Sequence, residues 1–250
     1  MEQSAPAHVA ILAYGPSIKD YVGLMRQLGG RRAYCDEVWA INGFGDLFNV
    51  DRIFHMDDLR IQEARAPNNQ HIANMIAWLR THPGPIYTSR LHPDYPGLVE
   101  FPLEAVLNRR EMDNGGSPYF NSTTAYAIAF AIHIGVKRIS LFGIDFTLPN
   151  AHSGERGRAC CEFWLGVASA RGVEITVPES SSLLDACAPD AERMYGYDCV
   201  DVRLSDREDG GVAVTFTERE AIPTAEEIER RYDHRHHPNP LMKNHVFTPK

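Results

Sequence analysis

The chain has 250 residues, 44% of them hydrophobic, which is enough to bury a sizeable core in one domain carrying at most a small appendage. A formal net charge of −8 argues against a surface that wraps nucleic acid along its whole length, while leaving room for a local basic patch. The cysteines, at 35, 160, 161, 187 and 199, are odd in number, form no CxxC pair and follow no signal peptide, so they are expected to be free thiols in a cytoplasmic, reducing compartment. No stretch approaches ~20 consecutive apolar residues, so no membrane span is expected.

In chain order, apolar bursts recur at 8–13 (HVAILA), 37–42 (EVWAIN), 52–56 (RIFHM), 85–89 (PIYTS), 138–144 (RISLFGI) and 173–178 (VEITVP). Helical patterns separate them. That alternation predicts an α/β fold, Rossmann-like, with a mostly parallel sheet and helices on both faces. The clearest helix is 122–135, which opens on Ser122, Thr123 and Thr124, runs almost wholly apolar and stops at Gly135; a helix this apolar must be buried. Further helices are expected at 68–80 and 155–171. After about residue 190 the character changes. RMYGYDCVDVRL and GGVAVTFTE read as a hairpin around Asp209-Gly210-Gly211, followed by an acidic helix start at 224–231. The expected organisation is therefore a Rossmann-like nucleotide-binding transferase domain over 1–190, a small hairpin and helix appendage over 191–231, and an extended basic, His-rich arm over 232–250. His234, His236 and His237 in that arm lack the cysteine or carboxylate partners of a strong zinc motif.

Open parallel sheets bind ligands where the loops at the carboxyl ends of strands converge, so the polar residues there are the candidates. Tyr14, Gly15, Pro16 and Ser17 follow the first run. Gly15 permits a tight turn, Pro16 suits a first helical turn, and Ser17 offers a hydroxyl beside backbone donors, although one glycine makes neither a dinucleotide fingerprint nor a lysine-bearing phosphate loop. The turn is either an anion site or a plain strand-to-helix connection. Asn42 and Gly43 follow the second run, as a turn or as ligand contacts. His55, Asp57 and Asp58 follow the third; the two aspartates either cap the next segment or hold a metal ion carrying a nucleotide diphosphate. Gly143 and Asp145 follow the fifth, and His152 comes seven residues after Asp145. The cluster Ser122, Thr123 and Thr124 is an N-cap whose free N–H groups can also clasp phosphate.

Between residues 8 and 187 this pattern resembles the bacterial sialyltransferases of glycosyltransferase family 42, and also relatives around archaeal 6-hydroxymethylpterin diphosphokinase. Gly15-Pro16-Ser17 is similar to the family's first-strand motif, and Asn42 stands where the family has an asparagine. STTAYAIAFAIHIGVKRISLFGIDF (122–146) resembles its most specific block, and HSGERGRACCEFW with PESSSLLDA resembles the segment led by the catalytic histidine.

The resemblance implies a Rossmann-like transferase. Its donor, a nucleotide-activated sugar, would lie across Tyr14 to Ser17, Asn42, Gly43, Asp57, Ser122 to Thr124 and Gly143. Asp145 and His152 would be the catalytic residues, with His152 as general base to an acceptor hydroxyl on a glycan or a hydroxylated DNA base. No cofactor is implied. Tyr14 replaces the family's asparagine, and the short Asp145-to-His152 connection is more like the diphosphokinases than like sialyltransferases with a longer lid. Under that alternative Asp57 and Asp58 would hold magnesium. A third reading is a nucleotide-binding module without catalysis.

Overall fold

The strand HVAIL is apolar at every position, as a strand covered on both faces must be, and it becomes the centre of the sheet. The computed structural model describes residues 5–107, 118–146, 151–188, 193, 200–206, 212–218 and 224–226. The chain divides into two units, Met1–Cys187 and Ala188–Lys250.

The first unit is built on β1 (His8–Leu12), β2 (Glu37–Ile41), β3 (Arg52–Phe54), β4 (Ile86–Thr88), β5 (Leu98–Glu100), β6 (Arg138–Phe142) and β7 (Glu174–Thr176). They form one seven-stranded sheet in the order β5-β4-β3-β2-β1-β6-β7, and every pairing is parallel. The chain winds outward from β1 to β5, then returns to lay β6 on the other side of β1. The carboxyl ends of β1 and β6 therefore frame the point where the winding reverses, the usual crevice for ligands in such sheets. β5 was not among the expected strands, because LVE is three residues long and sits in a stretch broken by proline and glycine.

Helices α1 (Ile18–Leu28), α2 (Leu59–Arg65) and α3 (Gln70–Thr81) cover one face, while α4 (Leu103–Leu107), α5 (Thr123–His133) and α6 (Ala151–Ala170) cover the other. Asn69 caps α3 by accepting from Ile72 N at 3.2 Å, and Ser122 caps α5 by accepting from Thr124 N at 3.3 Å. α5 is buried nearly all round, as its composition required, and packs Ile128 and Phe130 against Trp39, Phe54 and Tyr87.

In the second unit β8 (Val200–Asp206) and β9 (Val212–Glu218) form an antiparallel hairpin, with Val200 opposite Glu218 and Asp206 opposite Val212. Arm residues 232–250 lie outside the described residues. No helix among the described residues is long and apolar enough to cross a membrane.

Ile128 is 0% exposed within the larger core cluster. Ile128→Ala should lower unfolding free energy by about 2–5 kcal/mol in urea melts. Ile61 is 60% exposed, so Ile61→Ala should change it by no more than about 0.5 kcal/mol.

Candidate functional site

The turn after β1 is held by its own fold rather than left open. Gly15 N donates to Gly143 O at 2.7 Å, Ser17 N donates to Asp145 Oδ2 at 2.8 Å, and Gly143 N donates to Ser17 Oγ at 2.9 Å. Pro16 has no N–H. The next amides are engaged too, with Ile18 N on Gly15 O, Lys19 N on Pro16 O and Asp20 N on Ser17 O. From Gly15 to Asp20 the amides of the turn are thus engaged within the fold, Pro16 having none. Gly15 is required by this closeness: a Cβ there would lie 2.6 Å from Gly143 O and 2.7 Å from Asp145 Cβ. Gly143 takes φ +69, and a Cβ on it would meet Ala13 backbone.

Asp145, expected among the catalytic residues, has both carboxylate oxygens bound within the fold. Oδ1 accepts from Ser182 N at 3.2 Å, opposite the Ser17 contact on Oδ2. The serine run after β7 joins the same cluster, since Phe146 N donates to Ser182 Oγ at 2.8 Å and Ser181 Oγ donates to Ile144 O at 3.1 Å. Asp145 thus ties the loops after β1 and β7 to its own.

The open polar groups stand one and two strands away. Ile41 pairs with Phe54, and Phe54 with Tyr87, so Asn42, His55 and Thr88 form the next row at the carboxyl edge. Asn42 adopts φ +55 and opens a 3-10 turn over Asn42–Asp46; Gly43 is tight there, its Cβ position lying 2.8 Å from Met75 Cγ and 3.2 Å from Tyr14 Oη. His55 is 0% exposed, and its backbone N donates to Tyr87 O at 2.8 Å. Among the described residues three buried side-chain polar atoms have no hydrogen-bond partner: Asn42 Oδ1, His55 Nδ1 and His55 Nε2. Such groups each cost about 1–3 kcal/mol, and these three lie on the residues that follow two adjacent strands. Burial pushes the His55 imidazole below its ordinary pKa, with the Asp57 carboxylate opposing that in part. Tyr14, 50% exposed, stands beside this pair, edge-to-face with Phe44 at 4.9 Å and His71 at 5.8 Å.

The sequence placed His55 at a strand end but gave it no role. Its signal is a histidine closing an apolar run, RIFHM, where a solvent-facing residue is equally consistent.

The other candidates are placed as follows. Asp58 caps α2, accepting from Arg60 N at 3.0 Å, and its ion pair with the Arg60 guanidinium holds its carboxyl well below the usual range. Asp57 is exposed. The Asp58 carboxylate is therefore engaged by its own helix start and by Arg60. One other group, Glu63, His92 and Asp94, brings ligand atoms within 4.8 Å of one another. Glu63 is already held there by Arg80 at 2.6 Å and by the Tyr95 hydroxyl at 2.9 Å, so its charge is balanced without a cation.

Ser122, Thr123 and Thr124 open α5 at the carboxyl edge, tied toward α6. Asn121 N donates to Cys160 Sγ at 3.1 Å, and Arg156 donates to Asn121 Oδ1 at 3.0 Å. His152 lies in the first turn of α6, which starts at Ala151 and not at 155 as expected; its side chain lies outside the described residues.

No protein-family profile matches the chain, and no curated protein matches it. Similar solved structures include sialyltransferase CstII from Campylobacter jejuni in complex with the substrate analogue CMP-3FNeuAc. That match has 19% identity, 89% of this chain and 97% of that chain covered, and a TM-score of 0.43. The same enzyme with cytidine-5'-monophosphate matches at 15% identity over 91% and 98% of the two chains, with a TM-score of 0.44. At these values the likeness fixes neither substrate nor site residues.

Gly15→Ala should destabilise the fold by about 1–3 kcal/mol in urea melts, because the new methyl meets backbone. Gly23, inside α1, has nothing within 4 Å of its Cβ position, so Gly23→Ala should stabilise by about 0.4–1 kcal/mol.

The ring of His55 has its folded pKa depressed below the ordinary 6.5. The folded state then binds fewer protons than the unfolded chain as pH falls through 6.5. Its contribution to stability is therefore complete above that pH and declines below it, until the folded ring itself titrates. Chemical unfolding from pH 7.5 downward should show this decline before the carboxylates titrate at about pH 4–5, and His55→Gln should reduce it. An unchanged pH slope in the variant would show that His55 does not carry it.

Proposed function

We propose that this chain is a nucleotide-sugar-dependent glycosyltransferase. The observation that carries the reading is the set of unpartnered buried atoms on Asn42 and His55, at the carboxyl edge of a wound parallel sheet and beside a half-exposed tyrosine. The resemblance of 122–146 to family 42 supports the same class. Asn42 Oδ1 is an acceptor waiting for an N–H or O–H of the donor nucleotide, and Tyr14 offers a flat face to a base or ribose.

In this reading His152, rising on the first turn of α6 from the carboxyl side of β6, takes the proton from an acceptor hydroxyl. The hydroxyl oxygen forms a bond to the anomeric carbon as the bond from that carbon to the nucleotide phosphate breaks. The phosphate leaves with the electron pair, and the configuration inverts. The acceptor is a hydroxyl of a glycan or of a hydroxylated DNA base. Asp58 is engaged by α2 and Arg60, so no step is given to a metal held by Asp57 and Asp58.

A thermal-shift panel of CMP-N-acetylneuraminate, UDP-glucose, GDP-mannose and ATP, each with magnesium or with chelator, tests the class. A ligand bound only by the native state raises Tm. A sugar nucleotide should do so in chelator. Stabilisation by magnesium ATP alone would instead favour the diphosphokinase. With a productive donor, His152→Ala should lower turnover by about 10²–10⁴-fold while leaving Tm and the nucleotide-induced shift unchanged. Turnover within about threefold of the parent, well short of the usual worth of a general base, would remove His152 from the mechanism.

A further inference from the structure

We propose that the groove between α1 and the segment leading into β3 binds a small aromatic carboxylate, its ring held by Tyr21, Met25 and Phe48 and its head by Arg26. The proposal does not depend on the nucleotide reading.

The walls follow from the order of residues in α1. Tyr21 and Met25 are four residues apart, as are Val22 and Arg26, so the four share one side of the helix. Phe48 meets them from the chain beyond the 3-10 turn. Together they line a groove of about 530 Å³, within the range of roughly 300–1,000 Å³ common to small-molecule sites. Tyr21 is 3% exposed, and its ring meets Phe48 edge-to-face, with centroids 5.7 Å apart and planes at 77°. Such a corner offers an edge and a face, and another ring can pack against both. The half-buried Met25 adds a polarisable thioether, which aromatic rings favour.

The floor is bare backbone. Gly29 and Gly30 adopt φ +78 and +139, which side chains rarely take, and nothing lies within 4 Å of either Cβ position. A larger residue there would strain the turn and fill the groove.

Charge selects the occupant. The chain carries a net charge of −8, yet among the described residues the charged side chains lining this groove are Arg26 and Arg31, and no carboxylate joins them. Arg31 is committed to Asp51 through both of its terminal nitrogens. Arg26 is exposed and forms no ion pair among the described residues. Its place in the last turn of α1 suits the helix dipole without using the guanidinium fork, which is shaped for a carboxylate. Burial pushes the Tyr21 phenol up to about 12, so it faces the groove uncharged. A groove of about 830 Å³ at the amino ends of the strands shows the contrast. There Arg32 and Arg52 stand among Asp36, Glu37 and Asp51, and each arginine has a carboxylate partner.

This groove is a second site. α1 has 11 residues and starts beside the Gly15–Ser17 turn, so its ends are about 16 Å apart, and the groove includes Gly29 and Gly30 at the far one.

Calorimetric titration of the full chain at neutral pH with phenylbutyrate, phenylbutanol and phenylbutylamine keeps the ring constant and changes the head. Phenylbutyrate should bind saturably and about three- to tenfold tighter than the alcohol, with the amine weakest, as a charged hydrogen bond at an exposed arginine allows. Arg26→Gln should bring acid and alcohol to within about twofold of each other and leave the alcohol's affinity as in the parent. Nuclear Overhauser contacts between the phenyl protons and the Met25 methyl group locate the probe in the parent, without any variant. No saturable binding of phenylbutyrate, an affinity indifferent to the head, a preference that survives Arg26→Gln, or absence of the Met25 contact overturns the site. Failure of all three probes, with the chain sedimenting as a dimer that Val22→Asp dissociates, gives the groove to a second copy of the chain and overturns the ligand equally.

Discussion

The carboxylate of Asp145 accepts from two backbone amides that are far apart in sequence, Ser17 and Ser182, and the arrangement of the carboxyl edge depends on that pair of bonds. The strands it links, β1, β6 and β7, lie side by side in the sheet but are supplied by distant parts of the chain. A charged acceptor binding neutral amides makes stronger hydrogen bonds than a neutral one, and here two of them join three loops at one point. Gly15 and Gly143 follow from this closeness, because their backbones meet with no room for a side chain. Ser17, 0% exposed, completes the joint by accepting from Gly143 N.

Where the winding reverses, between β1 and β6, ligands of open sheets commonly meet free backbone donors. Here the amides of Gly15, Ser17, Gly143 and Ser182 are engaged within the loops. What remains unsatisfied lies at the ends of β2 and β3, and Tyr14 links the two regions by packing its hydroxyl end near Gly43. Among the described residues, the buried side-chain polar atoms without a hydrogen-bond partner are on Asn42 and His55.

Much of this was legible in the sequence where burial is continuous. Runs such as HVAIL and RISLF can be little other than interior strands, and the apolar body of α5 fixes it as a core helix. The hairpin followed from strands flanking Asp209-Gly210-Gly211. β5 and α2 were not legible, being short elements held by neighbours and not by their own pattern. The start of α6 was placed after Gly154, but the helix runs through its glycines. Gly157 is there for space, since a Cβ would lie 2.9 Å from the Phe146 ring. At the site, the residue types after each strand were readable while their duties were not. Whether Asp145 faces substrate or backbone is decided by where Ser182 arrives, and whether a histidine after β3 is wet or sealed is decided by what packs over it.

The sealed histidine matters for that reason. A fold that satisfies its strand ends as thoroughly as this one does around Asp145 has no structural need to leave three buried polar atoms bare. Packing alone would be served at His55 by an apolar residue, at less free energy, since each bare group costs about 1–3 kcal/mol. Natural chains break such local rules mainly where function requires it, with stability supplied by the consistent remainder. The closed joint at β1 and β6 is part of that remainder. It joins the loops after β1, β6 and β7 beside the strand ends that carry Asn42 and His55.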